Sequence, residues 1–268
     1  MNKITGFKKH IYDFYKINKR DLPWRKNKDP YNVYISEIML QQTQVPRVIE
    51  KYTEFIKIFP CFKSITKAPF SKVLSAWQGL GYNRRALFLK KASNIIVQDH
   101  RGELPSDFDT LISLPGIGDA TAHSIRVYAF NMPDFFIETN IRSVYIDHFF
   151  KGKENIKDSE ILPIAEKALD LKNPSKWYNA LMDYGTFLKS TVQNPNIRSR
   201  HYSKQSKFEG SDRQIRGSIL RKLIKNKAAK EELHTMFIGK RRTNRILKQL
   251  VKEGFILKDN NEIYTVSN

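Results

Sequence analysis

The sequence predicts an all-α body followed by a small C-terminal winged-helix-like domain, on three observations. Apolar residues recur at spacings of three and four through most of the chain, with Pro or Gly between the periodic runs. After residue 190 the periodicity lapses into a polar, basic stretch, "STVQNPNIRSRHYSKQSKFEGSDR". Beyond it, three short helical patterns precede "FILKDNNEIYTV", in which two β-prone runs flank a polar turn. Three helices and a hairpin in that order are the pattern of a winged helix. The expected division is therefore a helical domain over residues 1 to 190, a basic linker over 191 to 210, and a winged-helix-like domain over 211 to 268.

Each element follows from its own stripe. Val48, Tyr52, Phe55, Ile56 and Phe59 form one helical face closed by Pro60, and Val73, Leu74 and Trp77 form another after Pro69. Ala86, Leu89, Ser93 and Ile96 follow before Gly102, then Ile161, Ile164, Ala165 and Ala168, then Trp177, Ala180, Leu181, Tyr184 and Leu188. In the C-terminal unit Ile215, Ile219, Leu220, Leu223 and Ile224 make a face, and a short helix is expected around Leu233 and Met236. The third helix, "GKRRTNRILKQLVKEG", is expected to turn Ile246, Leu247, Leu250 and Val251 inward. Its start clusters Arg241, Arg242, Asn244 and Arg245, the arrangement of a helix that reads a groove or binds phosphates.

At 268 residues, with 40% apolar and 12% aromatic content, the chain can bury sizeable cores. Forty-seven Lys and Arg against 27 Asp and Glu leave a formal charge of +20, which points to a polyanionic partner, nucleic acid ahead of a membrane surface. No apolar run is long enough to cross a bilayer, and the N-terminal segment lacks the apolar core of a secretory signal. A cytoplasmic, nucleoid-associated location is expected. The single cysteine, Cys61, excludes an intramolecular disulfide and an all-cysteine metal or iron-sulfur site, and the six histidines show no zinc spacing, so no metal ligands are expected.

Two short stretches carry chemistry. In "LISLPGIGDATAHSI" one helix ends at Leu114-Pro115-Gly116-Ile117-Gly118 and another starts at once. The two glycines allow a tight turn with bare N–H groups, and the next helix adds its positive end, so the turn can hold a phosphate without reading sequence. In "YISEIMLQQTQVPRVIEKY" one acid, Glu37, shares a helical face with Val33, Leu40 and Gln41, and the helix then breaks into amides. A carboxyl so placed is desolvated and can hold its proton near neutral pH.

The motifs "LPWR" (22 to 25), "SEIMLQQTQV" (36 to 45), "GLGY" (79 to 82) and "LPGIG" (114 to 118), followed by the acid in "DFFIETNIRSV", stand in one order. In this the chain resembles the helix-hairpin-helix (HhH-GPD) DNA glycosylases, a family that includes endonuclease III and the MutY-type adenine glycosylases, over roughly residues 20 to 190. The resemblance implies a glycosylase fold of two helical lobes and removal of adenine mispaired with guanine or 8-oxoguanine from double-stranded DNA, after base flipping. It implies Glu37 as the acid that protonates the leaving purine. Glu138, with Asn140, would be the carboxylate that stabilises the oxocarbenium-like sugar. Gln41, Gln42 and Thr43 would probe the gap left by the flipped base, with Tyr82 as a second wedge. Arg84 and the hairpin residues Leu114, Gly116, Gly118 and Thr121 would contact the DNA backbone. A monovalent cation on the hairpin carbonyls and a monomeric protein complete what the family suggests.

Three departures qualify the match. Glu138 stands where the family has Asp, and one extra methylene moves the carboxylate by roughly 1.5 Å. Ala120 stands where endonuclease III has its lysine nucleophile, so water is expected to attack, with no lyase step. After "ALMDYG", Lys189 and its successors supply no cysteine for the family's cluster loop, and the expected winged helix, unlike the family's 8-oxoguanine-recognition domain in sequence, stands in that domain's place. A thymine or uracil mismatch glycosylase, or a DNA-binding protein without catalysis, stays open.

Overall fold

The computed structural model describes residues 3–237 and 239–267. In chain order the helices are α1 (Lys3–Asn18), α2 (Pro23–Lys26), α3 (Pro30–Leu40), α4 (Val45–Ile58), α5 (Phe62–Lys67), α6 (Phe70–Ala76), α7 (Arg84–Asp99), α8 (Phe108–Ser113), α9 (Asp119–Phe130) and α10 (Thr139–Phe149). They continue as α11 (Asp158–Ala168), α12 (Pro174–Thr191), α13 (Asp212–Lys225), α14 (Lys230–Thr235) and α15 (Lys240–Glu253), with strands β1 (Ala228–Ala229), β2 (Ile256–Lys258) and β3 (Ile263–Val266). The chain forms two compact units: residues 1–37, 106–113 and 117–204, and residues 38–105, 114–116 and 205–268.

In the first unit α12 packs on α1 and α10, and Phe7, Ile11, Trp177, Tyr145 and Leu181 are all but inaccessible. The approach of α10 to α12 is set by Gly185: a Cβ there would lie 2.4 Å from the Asn140 carbonyl oxygen, so no other residue fits without moving a helix. Across the same unit, Arg25 of "LPWR" holds both oxygens of Asp183 of "ALMD", at 2.8 and 2.9 Å, and Arg20 Nε donates to the same carboxylate at 2.5 Å. The Asp183 side chain is 1% exposed, so its charge is neutralised inside the protein rather than by water.

The first half of the expected linker is folded. Pro195–Arg198 forms a 3₁₀ turn with Pro195 and Asn196 buried, and Ile156 and residues 198 to 200 exchange backbone hydrogen bonds at 3.0 and 2.9 Å. Backbone pairing holds this segment, which apolar periodicity cannot register.

In the second unit α13, α14 and α15 and an antiparallel sheet of order β1-β3-β2 make the winged-helix-like domain. The strand β1, two residues long, was not anticipated because a pair of alanines has no alternation to read. Asp259 Oδ1 accepts the N–H of Asn261 and of Ile263, both at 2.9 Å, which closes the β2–β3 turn. Gly254, at φ 84°, ends α15 with its N–H on the Leu250 and Val251 carbonyls. Val251, expected inward, is 38% exposed, because Ile246, Leu247 and Leu250 already fill the buried stripe. This domain does not stand apart: α13 packs on α6, and Phe255 lies 5.9 Å from Phe70, ring to ring.

Candidate active site and nucleic-acid surface

Glu37 sits in the last full turn of α3, flanked by Tyr34, Ile35 and Ile38, which are almost completely buried. Burial lifts its carboxyl to about 7; the Glu138 charge pushes the same way, and a hydrogen bond from Ser124 of α9 opposes them. One helical turn after Ser124 on the same face, Tyr128 is pushed well above the phenol range by burial and by the charges of Glu37 and Glu138. Ser124 and Tyr128 were missed in the sequence. Their spacing of four on one helix was the available signal, but nothing in it said that the face meets two carboxylates.

Glu138 caps α10. Its Oε1 accepts the N–H of Asn140 at 2.6 Å and of Ile141 at 2.9 Å, so the extra methylene is taken up by folding the carboxylate back onto the helix start. Burial raises Glu138, opposed by those N–H groups and by the Lys189 and Arg142 cations. The same side chain thus begins the helix and borders Glu37. Asn140 Nδ2 lies 3.4 Å from Glu138 Oε2, and Asn140 Oδ1 accepts from Lys189 Nζ at 2.9 Å.

In the second unit the segment 41 to 43 and the loop 79 to 82 are tied by one buried residue, Arg85 of α7. Its guanidinium donates to the carbonyls of Ile38, Met39, Gln41, Leu80 and Gly81 and to Thr43 Oγ1, at 2.7 to 3.2 Å. Burial pushes Arg85 down to about 10, which leaves it charged at neutral pH. Gln42 and Tyr82 hold positive φ, 54° and 47°, and Gln42 is exposed. Gln41 Nε2 donates to the Gly116 carbonyl at 3.2 Å, so the amide reaches the hairpin turn. Gly116, at φ 86°, has room for no Cβ, which would lie 2.9 Å from Phe88 Cβ.

Other expected DNA-binding residues are distributed unevenly. Gly116, Gly118, Asp119 and Ala120 are exposed, Thr121 is half-buried, and Leu114 is 2% exposed, so only its backbone can face a ligand. Arg84 is paired with Glu253 at 2.7 Å. Arg242 and Arg245 both hold Asp212, at 2.7 and 2.8 Å, and Arg242 also holds the Gly210 carbonyl, so part of their charge is spent within the domain. The open face of α15 is instead lined by Arg241, Asn244, Arg245, Lys248, Gln249 and Lys252. The sequence carries one cysteine, exposed Cys61 at the start of α5, so the donor set of a four-cysteine cluster does not exist here.

An all-helical body with a helix-hairpin-helix turn between α8 and α9, leading to a carboxylate at the start of α10, defines the helix-hairpin-helix DNA glycosylase fold. The chain belongs to the HhH-GPD superfamily of base excision DNA repair proteins, whose family model matches residues 35–182. It is 36% identical over 192 residues to an adenine DNA glycosylase of Buchnera aphidicola subsp. Baizongia pistaciae, covering 70% of this chain and 54% of that protein. With the adenine DNA glycosylase of Homo sapiens it shares 30% over 205 residues, 72% of this chain and 37% of the relative. Among solved structures, a thermostable thymine-DNA glycosylase superposes with a TM-score of 0.64 at 25% identity, over 72% of this chain and 90% of that one. The chain thus spans about half the length, or less, of these curated relatives.

Proposed function

We propose that the chain is a monofunctional DNA glycosylase that removes adenine mispaired with guanine or 8-oxoguanine. One observation carries the reading: a half-buried carboxyl, Glu37, set among buried neighbours and held protonated to about pH 7, with the charge of a second, helix-capping carboxylate, Glu138, acting on it. Protonated Glu37 donates to a ring nitrogen of the flipped adenine, which makes the base a better leaving group. As the C1′–N9 bond breaks, ionised Glu138, fixed by two backbone N–H groups, stabilises the positive charge on the sugar. Water adds at C1′ and gives its proton to the Glu37 carboxylate, which leaves free adenine, an abasic site and the acid restored. Ala120, exposed in the first turn of α9, offers no amine there, which supports hydrolysis without a lyase step. The relatives' name, adenine DNA glycosylase, agrees with this substrate.

Double-stranded DNA is the proposed partner. The 41 to 43 turn and Tyr82 would fill the emptied stack, the exposed hairpin glycines and Thr121 would hold a phosphate, and α15 would hold flanking backbone. A monovalent cation at the hairpin would use its carbonyl oxygens, of which that of Gly116 accepts from Gln41. Among the described residues no helix is long and apolar enough to cross a membrane. We place the protein with the DNA of the cytoplasm, as a monomer.

The test is an excision assay on labelled duplexes carrying A opposite 8-oxoguanine, A:G, T:G and U:G, with and without hot alkali. Alkali-dependent cleavage at adenine that is lost in Glu37→Gln supports the reading. Cleavage only at T or U moves the substrate toward that of the thymine-DNA glycosylase neighbour, and binding with no cleavage leaves a DNA-binding protein.

A further inference from the structure

Lys189 lies in the last turn of α12, half-buried, and belongs to none of the roles above. It shares a face of α12 with Met182 and Gly185, and all three meet Asn140. Met182 Sδ lies 3.8 Å from the Asn140 amide nitrogen, Gly185 admits the Asn140 backbone, and Lys189 Nζ donates to Asn140 Oδ1 at 2.9 Å. This bond has a directional consequence. With its oxygen taken by an ammonium, the Asn140 amide must turn its Nδ2 toward Glu138 Oε2, 3.4 Å away, while its backbone N–H holds Oε1.

We propose that Lys189 is a positioning residue for this site: through Asn140 it orients the Glu138 carboxylate and keeps a positive charge behind it. The proposal rests on the reading of Glu138 as the carboxylate that must be ionised when the sugar becomes cationic. Four groups bear on Glu138, one on α10 itself and three on other helices. Glu37 of α3 repels it and Tyr128 of α9 senses its charge, while Arg142 of α10 attracts it but is committed to Asp158 of α11 through two hydrogen bonds at 2.7 and 2.8 Å. The Lys189 amine, on α12, has no carboxylate partner within salt-bridge distance among the described residues, so its charge faces Glu138 uncompensated. The longer acid at position 138 and the lysine at 189 then make one arrangement. Glu138 folds back onto the start of α10, and Lys189 sets the amide that braces it.

Two measurements test this on the full chain. In a carboxyl-carbon NMR titration, with Glu138 assigned through Glu138→Gln, Lys189→Met and Lys189→Gln should move the Glu138 midpoint upward, and Lys189→Arg should keep it near wild type. In single-turnover excision on a duplex with A opposite 8-oxoguanine, the acid limb of the pH profile should move up in Met and Gln. Their rate at neutral pH should fall about tenfold or more, with DNA affinity unchanged and Arg restoring the rate. Unmoved midpoints and limbs, with only a lower Tm, would reduce Lys189 to packing and overturn the proposal. So would a borohydride-trapped DNA adduct that Lys189→Met abolishes, since the amine would then be a nucleophile. If the wild type excises no base, the glycosylase reading fails, and the titration still decides whether Lys189 governs Glu138. The Gln and Arg variants decide it if Lys189→Met does not fold.

Discussion

Arg213 of α13 donates from Nη1 to the Tyr82 hydroxyl at 2.9 Å and lies 5.8 Å from the centre of its ring, while Arg85 lies 5.6 Å from the same ring. Tyr82, at a backbone φ of 47°, thus has two guanidinium groups against its ring. The winged-helix-like domain therefore supports the loop that carries the candidate wedge.

That support is measurable as coupling. Arg213→Ala and Tyr82→Phe each remove one side of the hydrogen bond, and in a double-mutant cycle on DNA binding they should be non-additive by about 1 kcal/mol. Strict additivity would mean that the hydrogen bond does nothing for the wedge. Loss of binding in Tyr82→Ala checks separately that the ring meets DNA.

Glu37 should make stability depend on pH. Its carboxyl titrates at about 7 when folded and at the ordinary 4.5 when unfolded, so between these values the folded state holds the extra proton. Stability falls as pH rises through that window, by up to about 3 kcal/mol. In urea melts Glu37→Gln should match wild type near pH 5 and exceed it near pH 8. The same variant should lose about a hundredfold or more in excision rate, and the wild-type rate should decline above pH 7. A flat stability difference across pH would show that Glu37 is not desolvated.

Asp183 joins two arginines inside the first unit. Asp183→Ala strands both cations and should cost about 3 to 5 kcal/mol, a loss of cooperative unfolding at physiological temperature in a domain of ordinary stability. Thermal melts would read it. A loss near 1 kcal/mol would mean that water enters to solvate the arginines.

Arg85 makes six hydrogen bonds to the segments that carry Gln41, Thr43 and Tyr82. Arg85→Met leaves buried carbonyls unpaired and should cost about 3 kcal/mol. Arg85→Lys should recover little, since an ammonium has three donors and no fork. Full recovery of Tm and DNA affinity by lysine would show that charge alone suffices.

Among the cations that line the open face of α15, those not committed to Asp212 are Arg241, Lys248 and Lys252. Each changed to Ala should weaken binding to any duplex sequence and lower the slope of log affinity against log salt by about 0.9 for every phosphate left without its cation. Point substitutions suit this test better than removal of the domain, because Phe255 packs on Phe70 and a truncation would bare that surface. An unchanged slope in the triple variant would take α15 out of the DNA interface.

Much of the site was legible because its chemistry is local. Glu37 could be placed among buried neighbours from helical spacing alone, and the Gly116 turn from two glycines between helices. The winged-helix-like order was readable from three stripes and a turn. By contrast, Arg25 and Asp183 are 158 residues apart, Lys189 and Asn140 are 49 apart, and Arg213 and Tyr82 are 131 apart, and no periodicity links such pairs.

The helical class, the basic composition and the glycine turn were therefore written in the order of residues, since each depends on positions within a few turns of one another. How Glu138 accommodates its extra methylene, which lysine and tyrosine border it, and that the C-terminal domain grips Tyr82 emerged with the folded chain alone. Those outcomes depend on which distant helix faces come to lie together. That is set by the packing of whole cores, where a glycine at 185 or an arginine at 85 has meaning only through the backbone it meets.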